Sequence, residues 1–150
     1  MMVVNDMYEL TRANKDHIEL LKNYKLSTIL NNSNNITEKE KQEIINYVNN
    51  EVPKQLKDYK VIVIGSIIVG CLLVIKYKNG MLLDEIYLEE QYRNMKIGSN
   101  IIKNLIEEHN VIYLWVYKDN LKAIKLYESF HFSIIEETKT RYLMKYQKNV

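Results

Sequence analysis

The chain has few of the residues that punctuate or staple small folds: its 150 residues include one proline, one cysteine and four glycines. The lone cysteine, Cys71, excludes an intrachain disulfide, and its place in an apolar run predicts a buried structural thiol, which fits a reducing, cytoplasmic setting. The glycines stand at Gly65, Gly70, Gly80 and Gly98, so neither G-x-G-x-x-G nor the Walker phosphate loop can be written anywhere. His17, His109 and His131 show no ligand spacing with one another or with Cys71, and no metal is expected. No G-x-S-x-G frames a serine, and a cysteine in an apolar strand is a poor nucleophile, which disfavours covalent catalysis.

An excess of one charge is missing too. The net charge is +2 and the lysines are spread among acidic residues, so nucleic acid is not an expected partner. The longest apolar run, Val61 to Ile75, is broken by Gly65-Ser66 and Gly70 and falls short of the roughly 20 residues a membrane helix needs. Met1 to Asp6 lacks the basic start and apolar core of a secretion signal. With no linker-like stretch, residues 1–150 are expected to form a single domain that buries roughly 70% of its unfolded surface.

The patterns that are present alternate between the two secondary-structure periods. Tyr8 to Arg12 reads as a short strand, and Asp16 is placed to cap a helix carrying Ile18, Leu21 and Tyr24 on one face. After the polar loop Asn31 to Asn35, Thr37 and Glu40 make a capping-box pattern for a helix with Ile44, Ile45, Val48 and Val52 inward, which Pro53 should bend or end. Tyr59 to Leu88 reads as a three-stranded antiparallel meander, with a II′ turn at Gly65-Ser66, a hairpin at Asn79-Gly80 and Gly70 as a candidate bulge. Ile97, Ile101, Ile102, Leu105 and Ile106 repeat at helical spacing. Val111 to Tyr117 is a strand, Asn120 to Phe130 a helix, and Phe132 to Glu136 and Arg141 to Tyr146 close the sheet. The expected fold is therefore α/β: a mixed, mostly antiparallel sheet of about seven strands flanked by about four helices.

Between the meander and the helix starting near Ile97 lies Tyr92-Arg93-Asn94-Met95-Lys96-Ile97-Gly98-Ser99. A helix start leaves backbone N–H groups unpaired and carries partial positive charge, which suits phosphate oxygens, and Arg93 and Lys96 add formal charge. This turn resembles the pyrophosphate loop of the GNAT superfamily of N-acetyltransferases, Gln/Arg-x-x-Gly-x-Gly/Ala, with Lys96 where the family usually has glycine. Downstream, Leu114-Trp115-Val116, then Asn120, Ala123, Tyr127 and Phe132, match the family's strand, Asn-x-x-Ala-x-x-x-Tyr and Gly-Phe in order and spacing. His131 takes the place of the helix-ending glycine, and histidine is among the residues enriched at left-handed positions.

That resemblance implies a GNAT-like fold and an acetyl-CoA-dependent N-acetyltransferase, in which a primary amine of a small molecule or peptide attacks the thioester directly in a ternary complex. It assigns the diphosphate to Arg93, Asn94, Met95, Lys96, Ile97, Gly98 and Ser99, the pantetheine arm to the backbone of Ile86 and Leu88, and the thioester carbonyl to the Leu88 N–H. Asn120 would add a polar contact to the cofactor. Tyr127 matches the family tyrosine that protonates the departing thiolate; core packing is the alternative reading for a tyrosine at helical spacing from Ala123 and Phe130. Family members that act on proteins often carry a base at the positions of Leu82 and Trp115, both apolar here. Asp84, which alternation places with Leu82, Ile86 and Leu88, is then the first candidate base and Glu85, from the opposite face, the second. Both are equally readable as solvated strand-end charges or ion-pair partners. Diamine acetyltransferases of the superfamily have glutamate at the place of Asp84, which favours a small cationic amine. A non-catalytic acyl-CoA binding or sensing module and a protein N-terminal or lysine acetyltransferase remain open, and a homodimer is compatible with the sequence.

Overall fold

The computed structural model describes residues 3–149; Met1, Met2 and Val150, which the expected domain includes, lie outside the described residues. Twelve elements follow one another: α1 (Val4–Met7), β1 (Glu9–Arg12), α2 (Ile18–Asn31), α3 (Glu38–Gln55), β2 (Tyr59–Ile64), β3 (Ile67–Tyr77), β4 (Gly80–Leu88), α4 (Ile97–Glu108), β5 (Val111–Tyr117), α5 (Leu121–Ser129), β6 (Ser133–Glu137) and β7 (Arg141–Gln147). The strands form one seven-stranded sheet in the order β1-β2-β3-β4-β5-β7-β6, which is the expected α/β architecture with five helices rather than four. The additional helix is the four-residue α1, too short for a periodic pattern to announce it.

The chain contacts group into two compact units, one taking Tyr8–Leu73 and Glu85–Glu89, the other Val74–Asp84 and the residues from Glu90 onward with α1. In the first, β1, β2 and β3 pair antiparallel. The β2–β3 register slips between Ile62/Gly70 and Val63/Ile68, so Val69 is an extra residue and the expected bulge is present. Gly70 is required there, because a Cβ would lie 2.0 Å from the Tyr87 carbonyl oxygen. Leu21 and Tyr24 of α2 and Val48 and Val52 of α3 are buried, the faces that the sequence periodicity selects.

In the second unit the β4–β5 ladder is parallel and pairs Met81 with Ile112, Leu82 with Tyr113 and Leu83 with Leu114. Leu82, Val111, Tyr113 and Leu143 form a buried cluster on which Ile75, Tyr77 and Trp115 pack. Ile97, Ile101, Ile102 and Leu105 give α4 its buried stripe. At the edge of the sheet β6 is exposed along its whole length, with a register shift between Ile134 and Glu136.

Three local expectations need correction. Asp16 does not cap α2; Asn14 caps the 3-10 turn Lys15–His17 that leads into it, its side chain accepting from the Asp16 N–H at 2.9 Å while His17 Nδ1 accepts the Asn14 N–H at 3.1 Å. Asn14 has the extended backbone a cap requires. Pro53 does not end α3, which runs to Gln55 before tightening into a 3-10 turn at Leu56–Asp58, whereas the Thr37/Glu40 capping box forms as expected. The second hairpin turns on Lys78 and Asn79, with Lys78 at φ 49°, and Gly80 already belongs to β4. Gly80 is glycine for space rather than for turn geometry, since a Cβ would meet the Val111 carbonyl oxygen at 2.3 Å.

Candidate active site

The cationic turn is an irregular loop feeding α4. Arg93, Asn94, Met95 and Lys96 are exposed, Gly98 and Ser99 half-buried, and Ile97 buried, so one apolar side chain anchors the loop while its polar residues face out. Lys96 sits immediately before the helix at φ 63° and ψ 16°, the left-handed region, with no side-chain cap on the first turn. Its carbonyl accepts the Asn100 N–H at 3.1 Å. The backbone thus holds the glycine-like angle that the resemblance calls for, at a strain of about 1 kcal/mol for a residue with a Cβ. The N–H groups of Ile97, Gly98 and Ser99 lie in the first turn, where no helical acceptor exists for them. This is a fit to an anionic diphosphate made from helix polarity, two cations and one strained residue.

Asn120 is the N-cap of α5 rather than its first residue, and its Oδ1 accepts the Ala123 N–H at 3.2 Å. At the other end α5 closes in a Schellman motif: His131 has φ 70°, its N–H donates to Glu128 O at 2.9 Å, and the Phe132 N–H donates to Tyr127 O at 3.1 Å. Tyr127 is half-buried against the buried Phe132, and burial pushes its phenol up from 10.0. Leu82 is closed into its apolar cluster, and the Arg141 guanidinium lies 4.8 Å from the centre of the Trp115 ring, so neither position offers a base.

The two candidate carboxylates part company. Asp84 is exposed, whereas Glu85 is the buried acid of the strand. Glu85 Oε1 accepts from Tyr59 Oη at 2.5 Å and Lys25 Nζ at 3.4 Å, and its Oε2 accepts from Cys71 Sγ at 3.3 Å. Lys25 and Glu85 are both nearly out of water, an ion pair whose desolvation is offset by these extra hydrogen bonds. Burial first, and the Glu85 charge second, push the Cys71 thiol well above 9.0, so it stays protonated and donates. Ile86 is half-buried and Leu88 buried.

Just past the end of β4, Glu89 Oε2 accepts from Tyr24 Oη at 2.6 Å, and the Tyr24 ring stacks on Tyr87 at 4.5 Å and 25°. Burial, then the bond to Glu89, raises the Tyr24 phenol far above its ordinary value, so it remains a donor at any physiological pH. No sequence motif marks Lys25, Tyr59 or Tyr24 as partners of Glu85 or Glu89. A signal was present for Lys25: it lies four residues from the buried Leu21, on the apolar face of α2, where a lysine requires a partner.

Among the described residues no group of three or more His, Cys, Asp or Glu side chains could hold a metal ion, and no helix is long and apolar enough to cross a membrane. A model of the acetyltransferase (GNAT) family matches residues 19–132, and the chain belongs to that family. Among solved structures, the fold is similar to that of PH1933 from Pyrococcus horikoshii OT3, with TM-score 0.73 and 18% identity over 95% of this chain and 99% of that one. It is also similar to PaiA N-acetyltransferase from Thermoplasma acidophilum in complex with coenzyme A, with TM-score 0.72 and 16% identity over 94% and 99%. Arabidopsis thaliana Naa50, in complex with the bisubstrate analogue CoA-Ac-MVNAL, has TM-score 0.63 and 21% identity over 95% and 99%. At these identities the likeness is one of fold. No curated protein matches the sequence.

Proposed function

We propose that this chain is an acetyl-CoA-dependent N-acetyltransferase that moves an acetyl group to a primary amine of a small molecule or peptide. The observation that carries the reading is the left-handed Lys96 at the head of α4, which supports a diphosphate-binding role for Arg93 to Ser99 although the usual glycine is absent. Family membership, the coenzyme A complex of PaiA and the bisubstrate-analogue complex of Naa50 support acetyl-CoA as co-substrate. Acetyl-CoA supplies an activated thioester. Arg93, Lys96 and the first turn of α4 hold its anionic end, and Asn120 adds a polar contact.

Tyr127 stays protonated through the neutral range because burial raises it, and a phenol so placed returns a proton to the departing thiolate. Glu85 is committed to Lys25, Tyr59 and Cys71, which leaves the exposed Asp84 as the better group to orient the amine or take its proton through water. A thiol-release assay with acetyl-CoA and a broad amine panel tests the reading. Acceleration by at least one amine is expected, and release that no amine accelerates overturns it.

The same commitment of Glu85 favours a second reading, a binding module that holds acyl-CoA without turning it over. It predicts thermal stabilisation by acetyl-CoA, about 2.7 kcal/mol at a hundred times the dissociation constant, with no release of thiol. A protein N-terminus or lysine is the acceptor in the third, which the bisubstrate complex of Naa50 supports for an N-terminus and the apolar Leu82 and Trp115 oppose. Mass spectrometry of candidate peptides after incubation separates it.

A further inference from the structure

Glu85 and Glu89 lie four residues apart on one strand end, yet only one of them is neutralised. Glu85 has Lys25 at 3.4 Å. Glu89 is half-buried, and among the described residues no cation lies within ion-pair distance of it; its side chain takes a single phenolic donor, Tyr24 Oη at 2.6 Å. Being only half-buried, the carboxylate keeps part of its surface open to solvent and so to a solute. Its second oxygen is left to accept from a ligand.

The surroundings fix this group in place. The Glu89 N–H donates to the Val69 carbonyl at 2.8 Å, which ties the residue to the bulge in β3. Tyr24 is buried and stacked on the half-buried Tyr87 at 4.5 Å, so the donor that orients the carboxylate is itself locked. An anion held at a defined angle beside aromatic rings is the chemistry that binds an organic ammonium: a charge-assisted hydrogen bond on one side and ring faces for the alkyl groups and the cation on the other. Phosphate, carboxylate and neutral ligands are repelled or unrewarded by the same groups.

We propose that Glu89, oriented by Tyr24 and walled by Tyr87, is an ammonium-binding site that selects a cationic acyl acceptor. As an acceptor site it rests on the transferase reading above, and the sequence itself keeps Glu89 next to Leu88, to which the resemblance assigns the thioester carbonyl. Glu89 binds and positions; the proton transfer remains with the groups already named.

Calorimetric titration of the full chain, with coenzyme A present, by n-butylammonium and by uncharged 1-butanol tests the site directly. The amine is expected to bind and the alcohol not. Glu89→Gln should weaken the amine by about tenfold or more, the loss of one charge-assisted hydrogen bond, and Tyr24→Phe, which keeps the ring, should weaken it by a smaller factor. Thermal midpoints of both variants report that they are folded. No amine binding by the wild type, or equal binding by wild type and Glu89→Gln, overturns the proposal. In the thiol-release assay Glu89→Gln should raise KM for amines and leave kcat nearly unchanged. Amine binding without thiol release would sink the transferase reading and spare the site; thiol release with a KM indifferent to Glu89 would do the reverse.

Discussion

Tyr127 and Phe132 are joined twice: the Phe132 N–H donates to the Tyr127 carbonyl at 3.1 Å, and the two rings lie 5.9 Å apart at 56°. These are the backbone bond and the apolar contact of a Schellman motif, with His131 at φ 70° between them. The residue that the family resemblance makes a proton donor is therefore also part of the helix stop, and its ring is aimed by the turn that follows it.

The two roles separate by substitution. Tyr127→Phe keeps the carbonyl and the ring contact, so it should cost less than about 1 kcal/mol in denaturant unfolding. Its kcat for amine acetylation should fall about 100-fold if the phenol donates the proton. An unchanged kcat would leave Tyr127 with packing alone.

Lys96 carries strain and charge on one residue. Lys96→Gly should relieve the left-handed angle and raise stability by about 1 kcal/mol, or roughly 2 to 4 °C in midpoint for a chain of this size. Acetyl-CoA affinity should fall in the same variant. Lys96→Ala keeps the strain and loses the charge, so it should weaken binding with no gain in stability. Binding of acetyl-CoA by Lys96→Gly as tight as by the wild type would show the lysine to be an incidental surface charge.

Lys25 and Glu85 form an ion pair with both side chains nearly out of water. Lys25→Met leaves a buried carboxylate without its cation and should cost about 3 to 5 kcal/mol. The double change Lys25→Met with Glu85→Gln should recover a large part of that loss. A double-mutant cycle by urea unfolding measures the coupling, and additive losses would contradict the pairing.

Cys71 sets an alkaline limit. Its thiol is raised in the folded state above 9.0, its value when exposed, so the folded chain holds a proton that the unfolded chain releases. The contribution is fully present below about pH 9 and declines as pH rises through the folded value. Unfolding free energy measured from about pH 7 to about pH 10 should fall at the upper end, less steeply in Cys71→Ala. Alkylation of the thiol should proceed only as fast as the chain opens.

Much of the fold was legible because its elements announce themselves by period: the stripes Leu21/Tyr24, Val48/Val52 and Ile97/Ile101/Leu105 are all buried as spaced. The loop before α4 and the stop of α5 were legible as motifs, down to the left-handed angles at Lys96 and His131. The network around Glu85 was not, because Lys25, Tyr59 and Cys71 come from three elements and no local pattern records which side chains a fold brings together. Gly80 shows the same limit. Asn79-Gly80 reads as a turn from its neighbours in sequence, whereas the glycine answers to Val111, a residue distant in sequence.

The register shift that leaves Ile135 unpaired in β6 bears on how this protein behaves in a crowded solution. An open edge carrying Ile134 and Ile135, both more than two-fifths exposed, is the kind of template on which β-rich aggregates grow. The irregular step between them and Glu136 spoils the flat ladder such growth needs, and Glu136 sets a charge beside it, while Glu137 is paired with Lys118 at 2.7 Å. Removing that irregularity, or neutralising Glu136, would be felt first as lost solubility rather than as lost chemistry.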